Sequence, residues 1–203
     1  MSYFYNNYWD TTSLRGDDSS YKLDRLEKFI PKEKNLNVLD FGCGDARILK
    51  KIGDKTWIKT GVDVSEVIIN KNRKNIKNIK FDVIVDGKKL PFKKNMFDLI
   101  ISTDSIEHVY NTKLAFKELS RILKPNGKII FTTPYHGFIK NLVIILSNNF
   151  DNIFDPLGAH IRFFTKDSMS KCLIQSGIKP IKFAYYGRFY PLSRGMIICG
   201  RKI

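Results

Sequence analysis

The stretch VLDFGCGDARILK, residues 38–50, places an apolar run and an aspartate directly before the glycine turn Gly42-Cys43-Gly44, and a helical pattern follows at once. Glycine inside a regular element costs about 0.5–1 kcal/mol relative to alanine, so two glycines at the end of a buried strand need a reason. A tight turn is one reason, and the close approach of a ligand to the backbone is another. A strand, a glycine turn and a helix N-terminus together form a cradle whose exposed N–H groups bind ligands.

Strand-like and helix-like segments alternate on both sides of this turn. Helical patterns separate apolar runs typical of buried parallel strands, which lie at 38–41, 58–62, 79–85, 97–102 and 128–133. The alternation predicts an α/β fold, a Rossmann-like sheet of seven mostly parallel strands with helices on both faces. Pro125-Asn126-Gly127 is expected to form the turn that ends the helix before the fifth strand. The last two strands, 179–186 and 195–201, have no helix between them, so an antiparallel final strand is expected.

The composition is that of a folded chain, 43% hydrophobic and 13% aromatic. No apolar run approaches the roughly 20 residues that span a bilayer, and the N-terminus MSYFYNNYWD lacks the pattern of a secretory signal. The cysteines Cys43, Cys172 and Cys199 are far apart and odd in number, so no disulfide framework is expected. These features predict a cytoplasmic protein.

The formal charge of +15 has two explanations. The chain has 26 lysines but only 9 arginines, and it is also rich in isoleucine and asparagine. Lysine, isoleucine and asparagine rise together when a genome is AT-rich, so codon bias with a solvated surface is one explanation. An acidic partner is the other: a phosphorylated metabolite, a nucleic acid or an anionic membrane.

The spelling of the glycine turn separates two kinds of nucleotide site. The dinucleotide fingerprint GxGxxG needs a third glycine, and Arg47 stands there. The stretch resembles the first motif of the class I S-adenosylmethionine-dependent methyltransferases, [VIL]-L-D-x-G-C-G-x-G, with Ala46 in place of the last glycine. The resemblance continues in order over residues 36–134, through GVDVS, DGKKLPF, MFDLIISTDSIEHV and LSRILKPNGKIIFTTP.

This resemblance implies S-adenosylmethionine as the cofactor and methyl transfer as the reaction. It implies that Asp63, at the tip of the second strand, accepts both ribose hydroxyls, and that Asp86 meets the adenine amino group. Asp40 is expected near the methionine end of the ligand. The full set expected to bind the cofactor is Asp40, Gly42, Cys43, Gly44, Asp63, Val64, Asp86, Gly87 and Ser102.

The chain is expected to be one methyltransferase domain, residues 1–203, and a monomer or dimer. The expected parts are an aromatic N-terminal lid at 1–18, a cofactor-binding core at 36–134, an acceptor-side helical and loop insertion at 135–165, and a C-terminal helix and strands at 166–203. Within the insertion, the apolar segment Phe138–Leu146 is expected to pack over the pocket or in a dimer contact.

Three histidines are the candidate catalytic bases. His108 follows the fourth strand, His136 follows the fifth, and His160 closes the insertion in GAHIRFFT. An H-x-R-F-F-T segment recurs in small-molecule methyltransferases, which implies that His160 lines the acceptor pocket. Because the histidines are separate in the chain and no acid pair is near them, no metal is expected.

The acceptor is predicted to be a small, anionic molecule. Tyr5, Tyr8 and Trp9 are candidates for a lid that closes over it and offers cation–π contacts. Arginine suits phosphate, and the later candidates for binding the substrate are Tyr135, Arg162, Arg188 and Arg194. A phosphorylated amine such as phosphoethanolamine, methylated on nitrogen, fits this pattern. A sugar or glycan intermediate, O- or N-methylated, is the alternative. A hydroxylated quinone-like ring is less favoured, because the pocket is expected to be wet and basic.

Two rival functions carry less support. A nucleic acid target would use the basic run Asn70–Lys80, but this run lies on the cofactor half, and no RNA-binding module is appended. A membrane-surface scaffold without catalysis would use Phe138–Leu146 as an amphipathic anchor. The intact cofactor motifs speak against the scaffold.

Overall fold

The computed structural model describes residues 2–11 and 20–203, with side chains for 3–10 and 23–203. The strands are β1 (Asn37–Phe41), β2 (Ile58–Asp63), β3 (Lys80–Val83), β4 (Phe97–Thr103), β5 (Leu123–Pro134), β6 (Ile178–Tyr186) and β7 (Gly195–Lys202). The helices are α1 (Ser2–Thr11), α2 (Ser20–Glu27), α3 (Arg47–Lys51), α4 (Glu66–Asn75), α5 (Thr112–Ile122), α6 (Phe138–Leu146), α7 (Phe150–Ile153) and α8 (Lys166–Gln175). A short 3₁₀ turn, Ile106–His108, follows β4.

The seven strands form one sheet in the order β3-β2-β1-β4-β5-β7-β6. β7 pairs antiparallel with both of its neighbours, β5 and β6, and the other six strands run in one direction. The predicted Rossmann-like sheet with an antiparallel final strand is therefore confirmed. The chain runs outward from β1 to β3 and then returns to place β4 beside β1, which opens a crevice at their carboxyl ends.

Both faces of the sheet carry apolar cores because alternate residues of the buried strands point to opposite faces. In β4, Ile100 joins one core together with side chains of α5 and α8. Phe97 joins the same core, because a register shift between Phe97 and Leu99 interrupts the alternation. Leu99 and Ile101 join the other core with side chains of α2, α3 and α4. All four residues are fully buried, as the near-continuous apolar run at 97–102 predicts.

The turn Pro125-Asn126-Gly127 lies inside β5, which corrects the predicted start of this strand. α5 ends at Ile122 and β5 begins at Leu123. The pairing with β4 jumps from Phe97↔Leu123 to Leu99↔Lys128, so the turn residues form a bulge. Asn126 takes a φ of 62° there. The prediction of a helix end was right, but the chain pairs with β4 before the turn as well as after it.

The segment between β5 and α8 holds two short helices, α6 and α7. α6 buries only Ile144 and exposes most of its apolar side chains, with Leu146 77% exposed. Of the two expectations for Phe138–Leu146, packing over the pocket finds no support, since none of these residues lines the cavity described below. A dimer contact through this helix stays a prediction. No helix in the described ranges is long and apolar enough to cross a membrane. The division of the chain into four parts stays a prediction.

α1 covers the carboxyl edge of the sheet beside α4. The Oγ of Ser65, the N-cap of α4, donates to Oδ1 of Asn6 at 2.7 Å. This hydrogen bond and the aromatic contacts described below hold α1 over the glycine turn. Residues 12–18 of the predicted lid lie outside the described residues.

Candidate functional site

A cavity of about 500 Å³ opens at the crevice between β1 and β4. This volume is typical of small-molecule sites. Its walls come from the glycine turn, the ends of β2 and β4, the loop after β3, α1 and the 3₁₀ turn. The sequence-predicted residues that line it are Tyr5, Tyr8, Trp9, Gly42, Cys43, Gly44, Asp63, Val64, Asp86, Gly87 and His108.

The glycine turn is shaped by positive φ angles and by close neighbours. Gly42 has a φ of 77° and Gly44 a φ of 47°, conformations that glycine adopts without cost. A Cβ on Gly42 would lie 2.3 Å from Oγ of Ser105, and one on Gly44 would lie 2.8 Å from the Trp9 ring. Ser105 Oγ also donates to the Gly42 carbonyl at 3.1 Å. Both positions therefore require glycine.

Asp63 ends β2 with its carboxylate over the glycine turn. Its Oδ2 accepts from the backbone N–H of Gly44 at 3.0 Å, and its Oδ1 accepts from the N–H of Ser65 at 2.9 Å. Burial raises the pKa of Asp63, and these N–H donors lower it in part. The carboxylate lines the cavity and joins the two loops that carry the N-termini of α3 and α4.

Asp40 lies beneath the cavity floor in β1. It is fully buried, and neither oxygen of its carboxyl has a hydrogen-bond partner among the described residues. Burial, then the nearby charges of Asp63 and Asp45, raises the pKa of Asp40 to about 8. Ser102, in β4, is also fully buried, and its Oγ has no partner within the described part of the chain. Neither residue lines the cavity.

The remaining predicted cofactor residues, Cys43, Val64, Asp86 and Gly87, also line the cavity. Asp86 is half-buried, and its Oδ2 accepts from the N–H of Tyr110 at 3.0 Å. Gly87 has a φ of 75° in open space, so its turn requires glycine for the backbone angle and not for room. Burial raises the pKa of the Cys43 thiol, which fits a packing role and not that of a nucleophile.

α1 supplies an aromatic wall. Tyr5, Tyr8 and Trp9 line the cavity on one face of the helix, while Tyr3 is 78% exposed on another. The hydroxyl of Tyr5 is buried without a hydrogen-bond partner among the described residues. The Tyr5 ring meets His108 edge-on, with 5.8 Å between ring centroids. A buried hydroxyl without a partner is costly unless a ligand satisfies it.

His108 is the histidine of the cavity wall. Its Nδ1 lies 2.7 Å from the carbonyl oxygen of Ala159, which accepts only, so Nδ1 carries the proton. Burial lowers the pKa of His108. The ring is therefore neutral at pH 7, and Nε2 is left as the basic nitrogen.

His160 lies beside His108, with 4.9 Å between ring centroids. It is exposed on its outer side and does not line the cavity itself. Desolvation of the ring, followed by the neighbouring His108, lowers the pKa of His160. The fold thus brings together two of the three predicted histidines, which are 52 positions apart in the chain.

The third histidine lies elsewhere. His136 is buried against the rings of Phe154 and Phe163, at centroid distances of 5.4 and 5.0 Å. Burial lowers the pKa of His136 to about 4. It does not line the cavity, and its surroundings are those of a core histidine.

The predicted substrate residues of the second half also lie away from the cavity. The guanidinium of Arg162 donates to the Tyr110 carbonyl at 2.6 Å and to Thr112 Oγ1 at 3.1 Å. Arg188 and Arg194 are exposed. Tyr135 packs against Tyr185 and Tyr190, and burial raises its pKa to about 12. These four remain predictions for acceptor binding that no contact with the cavity supports.

Sequence reasoning missed several residues of the wall. Asp104, Ser105 and Ala159 line the cavity, and Glu107, which precedes His108 in the chain, is fully buried. Glu107 belongs to the stretch MFDLIISTDSIEHV that carries part of the family resemblance, so that motif was the available signal. The signal for Ala159 was its place beside His160 in GAHIRFFT, but its contact with His108 depends on the return of the chain after α7.

Comparisons with known proteins agree with this geometry. Residues 39–131 match a family described as the methyltransferase domain. A malonyl-[acyl-carrier protein] O-methyltransferase of Buchnera aphidicola is 30% identical over 64% of this chain and 51% of its own. A ubiquinone biosynthesis O-methyltransferase of Coxiella burnetii is 28% identical over 66% of this chain and 59% of its own. The chain spans about half the length of the curated relatives it matches.

A solved structure supports the fold. The SAM-dependent methyltransferase of Aquifex aeolicus superposes with a TM-score of 0.69 over 92% of this chain and 94% of that one, at 16% sequence identity. At this level of identity the likeness concerns the fold alone.

Proposed function

We propose that this chain, which belongs to the class I S-adenosylmethionine-dependent methyltransferases, transfers a methyl group to a hydroxyl oxygen of a small molecule. The acceptor hydroxyl would lie against His108 in the cavity, and His108 Nε2 would accept its proton. The observation that carries this proposal is the hydrogen bond from His108 Nδ1 to the Ala159 carbonyl. Because this bond fixes the tautomer, it makes Nε2 the proton acceptor.

The described residues fit the cofactor. The two positive-φ glycines leave the backbone of the turn open to a ligand, and the Asp63 carboxylate can accept hydrogen bonds from hydroxyl groups. When bound, S-adenosylmethionine supplies a methyl group on a sulfonium sulfur. Asp40 adds a buried carboxyl without a hydrogen-bond partner among the described residues beneath the same turn. A cationic amine near it would favour the ionised form, since opposite charges lower a carboxyl pKa.

The cavity wall suits a hydroxyl acceptor better than it suits a phosphorylated amine. Phosphate recognition was expected from Arg162, Arg188 and Arg194. Arg162 is bonded to Tyr110 and Thr112, and the other two are exposed outside the cavity. A neutral histidine at the wall instead suits an acceptor that must lose a proton to become a nucleophile. Hydroxylated rings and sugars both satisfy this requirement, so the sugar alternative stays within the proposal.

The names of the two curated relatives specify methylation at oxygen, although the oxygen of a malonyl group belongs to a carboxylate and not to a hydroxyl. One acts in ubiquinone biosynthesis, and the other on a malonyl group carried by a protein. The apolar side of the cavity, formed by α1 and by Ile84, Val109 and Leu114, would accommodate the carbon skeleton of such an acceptor. We place the reaction in the cytoplasm, as the cysteine pattern suggests.

The test measures cofactor binding and turnover separately. Calorimetric titration with S-adenosylhomocysteine is expected to give one site per chain. Release of S-adenosylhomocysteine from S-adenosylmethionine is then followed with catechols, monosaccharides and phosphoethanolamine as acceptors. We expect turnover with a hydroxyl acceptor, and turnover should persist as the pH falls below 6.5, because the pKa of His108 is lowered.

The matched variants are His108→Asn and His108→Ala. An asparagine amide can still donate to the Ala159 carbonyl but accepts no proton, so both variants should lose about 100- to 10,000-fold in kcat while keeping cofactor affinity. Normal turnover by His108→Asn would remove the proton-acceptor role. Methylation of phosphoethanolamine alone would overturn the hydroxyl assignment, and the absence of cofactor binding would overturn the reaction class.

A further inference from the structure

Glu107, His108 and His160 form a compact cluster at the acceptor side of the cavity. One ligand atom from each, a carboxylate oxygen and two imidazole nitrogens, lies within 4.8 Å of the others. Glu107 is fully buried, His108 lines the cavity and His160 reaches solvent. Two imidazoles and a carboxylate are the donor set of many catalytic zinc sites and of other first-row divalent ions.

Backbone hydrogen bonds on both sides of His160 build this juxtaposition. The carbonyl of Glu107 accepts from the N–H of Ile161 at 3.1 Å and of Arg162 at 2.9 Å. On the other side, the Ala159 carbonyl accepts from Nδ1 of His108 at 2.7 Å. The segment that carries His160 is therefore fastened to the turn that carries Glu107 and His108, although it is far away in the sequence.

The hydrogen bond of His108 has the form that metal-binding histidines take. Such histidines donate one ring N–H to a carbonyl or carboxylate and coordinate through the other nitrogen. Here Nδ1 donates to Ala159, which leaves Nε2 for coordination. Asp104 also lines the cavity, and its carboxylate adds negative charge near both imidazoles.

We propose that Glu107, His108 and His160 bind one divalent first-row cation, such as zinc, beside the acceptor. At bond lengths of about 2.0–2.2 Å, tetrahedral ligand atoms lie roughly 3.3 Å apart. The three side chains would have to close by about 1.5 Å at most, a movement that the exposed ring of His160 permits. Three protein ligands leave a position open for a substrate oxygen. The expectation that the chain binds no metal rested on the separation of the histidines along the sequence. In the fold, His108 and His160 lie side by side.

The role of the ion in methyl transfer rests on the proposed function, whereas its binding does not. A cation here stabilises the acceptor oxygen as its O–H bond breaks and the proton leaves to solvent. The oxygen then forms its bond to the methyl carbon as the carbon–sulfur bond breaks, which leaves a neutral thioether. The Nε2 lone pair of His108 binds either the ion or the proton. The ion would therefore take over the task that His108 performs in the metal-free chain.

The test starts with zinc binding to tag-free protein that has been stripped with a chelator. Calorimetric titration with Zn²⁺, with the bound metal counted by mass spectrometry, should give one ion per chain. His160→Ala removes an exposed ligand, and Glu107→Gln keeps the buried shape without the charge. Each should weaken zinc affinity by more than the about 10- to 100-fold typical of outer-shell changes. His136→Gln, which changes the histidine outside the cluster, should leave zinc affinity unchanged.

Undiminished zinc binding by His160→Ala and Glu107→Gln would overturn the site, as would no binding by the unmodified chain. Cofactor affinity serves as the folding control, because neither Glu107 nor His160 lines the cavity. If the cluster binds zinc but stripped protein methylates hydroxyl acceptors as fast as loaded protein, the role of the ion in transfer is wrong. Failure of all hydroxyl acceptors with both forms would instead overturn the proposed function, while the titration still decides the site.

Discussion

Asp40 shows how a single buried side chain makes the stability of the chain depend on pH. Its pKa is about 8 in the folded protein, compared with an ordinary value of 3.8. Between these values the folded chain holds a proton that the unfolded chain releases. The contribution of Asp40 to the free energy of unfolding is therefore largest below about pH 4, and it is lost as the pH rises towards 8.

Asp40→Asn should remove this pH dependence. The amide has the shape of the carboxyl and does not ionise, so the variant should be more stable than the unmodified chain at pH 8. The difference should shrink towards pH 5, where the folded carboxyl is protonated. Denaturant unfolding of both proteins at pH 5, 6.5 and 8 measures it. A stability difference that is the same at all three pH values would contradict the assigned titration.

Asp63 is predicted to be the residue on which cofactor affinity depends most. Asp63→Ala removes the acceptor of the Gly44 and Ser65 amides and the carboxylate offered to the ligand. A hydrogen bond to a charged group contributes about 1.5–3 kcal/mol, so the dissociation constant for S-adenosylhomocysteine should rise about 10- to 100-fold. Calorimetric titration measures the change.

Asp98 provides the matched control at the opposite edge of the sheet. Its carboxylate accepts from the Asn37 N–H at 2.9 Å and from Lys124 Nζ at 2.8 Å. Asp98→Ala should lower the free energy of unfolding without changing cofactor affinity. Equal affinity losses in the two variants would mean that Asp63 acts only through the stability of the fold.

At the scale of the element, α1 is held by the molecule and not by its own sequence. A ten-residue helix is marginal in water, and α1 is fastened through Asn6 and through the packing of Trp9 on Gly44. Because Trp9 also lines the cavity, the order of the helix and the shape of the cofactor site depend on one another.

Trp9→Ala and Tyr3→Ala separate the cavity face of α1 from its exposed face. Trp9→Ala should weaken S-adenosylhomocysteine binding by about tenfold, because loss of the ring opens the cavity wall to water. Tyr3 is 78% exposed, so Tyr3→Ala should leave affinity unchanged. Titration of both variants decides, and equal affinities would show that α1 does not contribute to the cofactor site.

The elements differ in how well the sequence predicted them. Strands with continuous apolar runs, such as β4, were predicted to within one residue because burial on both faces leaves a strong pattern. The start of β5 was not predicted, because pairing across the bulge at Pro125–Gly127 depends on β4 and not on local residues. α6 was predicted as a helix, but its exposure depends on the path of the chain after β5.

At the scale of the whole molecule, the central strands carry the fold. Ile100→Ala in β4 should cost about 2–5 kcal/mol of unfolding free energy, the usual loss for a fully buried large aliphatic residue. Ile58→Ala in β2 removes a side chain that is 55% exposed and should cost within about 0.5 kcal/mol. Denaturant unfolding compares them, and similar losses would contradict the placement of the core.

The residues of the candidate site also differ in how well the sequence predicted them. The glycine turn and Asp63 lie in one contiguous motif region, and reading the sequence placed them at the cavity. The cluster of Glu107 and His108 with His160 was not visible, because the partners come from two distant segments that the bonds to Ala159 and Glu107 bring together. Contacts between distant segments have no local pattern, so they appear only when the sheet is assembled.

The packing of Trp9 against the glycine turn gives the molecule an optical reporter. The chain has two tryptophans. Trp57 is buried beside Gly53, with its indole N–H bonded to the Glu33 carbonyl at 2.8 Å, so its emission should stay constant. Trp9 stands in the cavity wall, and its emission should shift when a ligand displaces water from the ring. The fluorescence of the unlabelled protein can therefore report cofactor arrival on the millisecond scale.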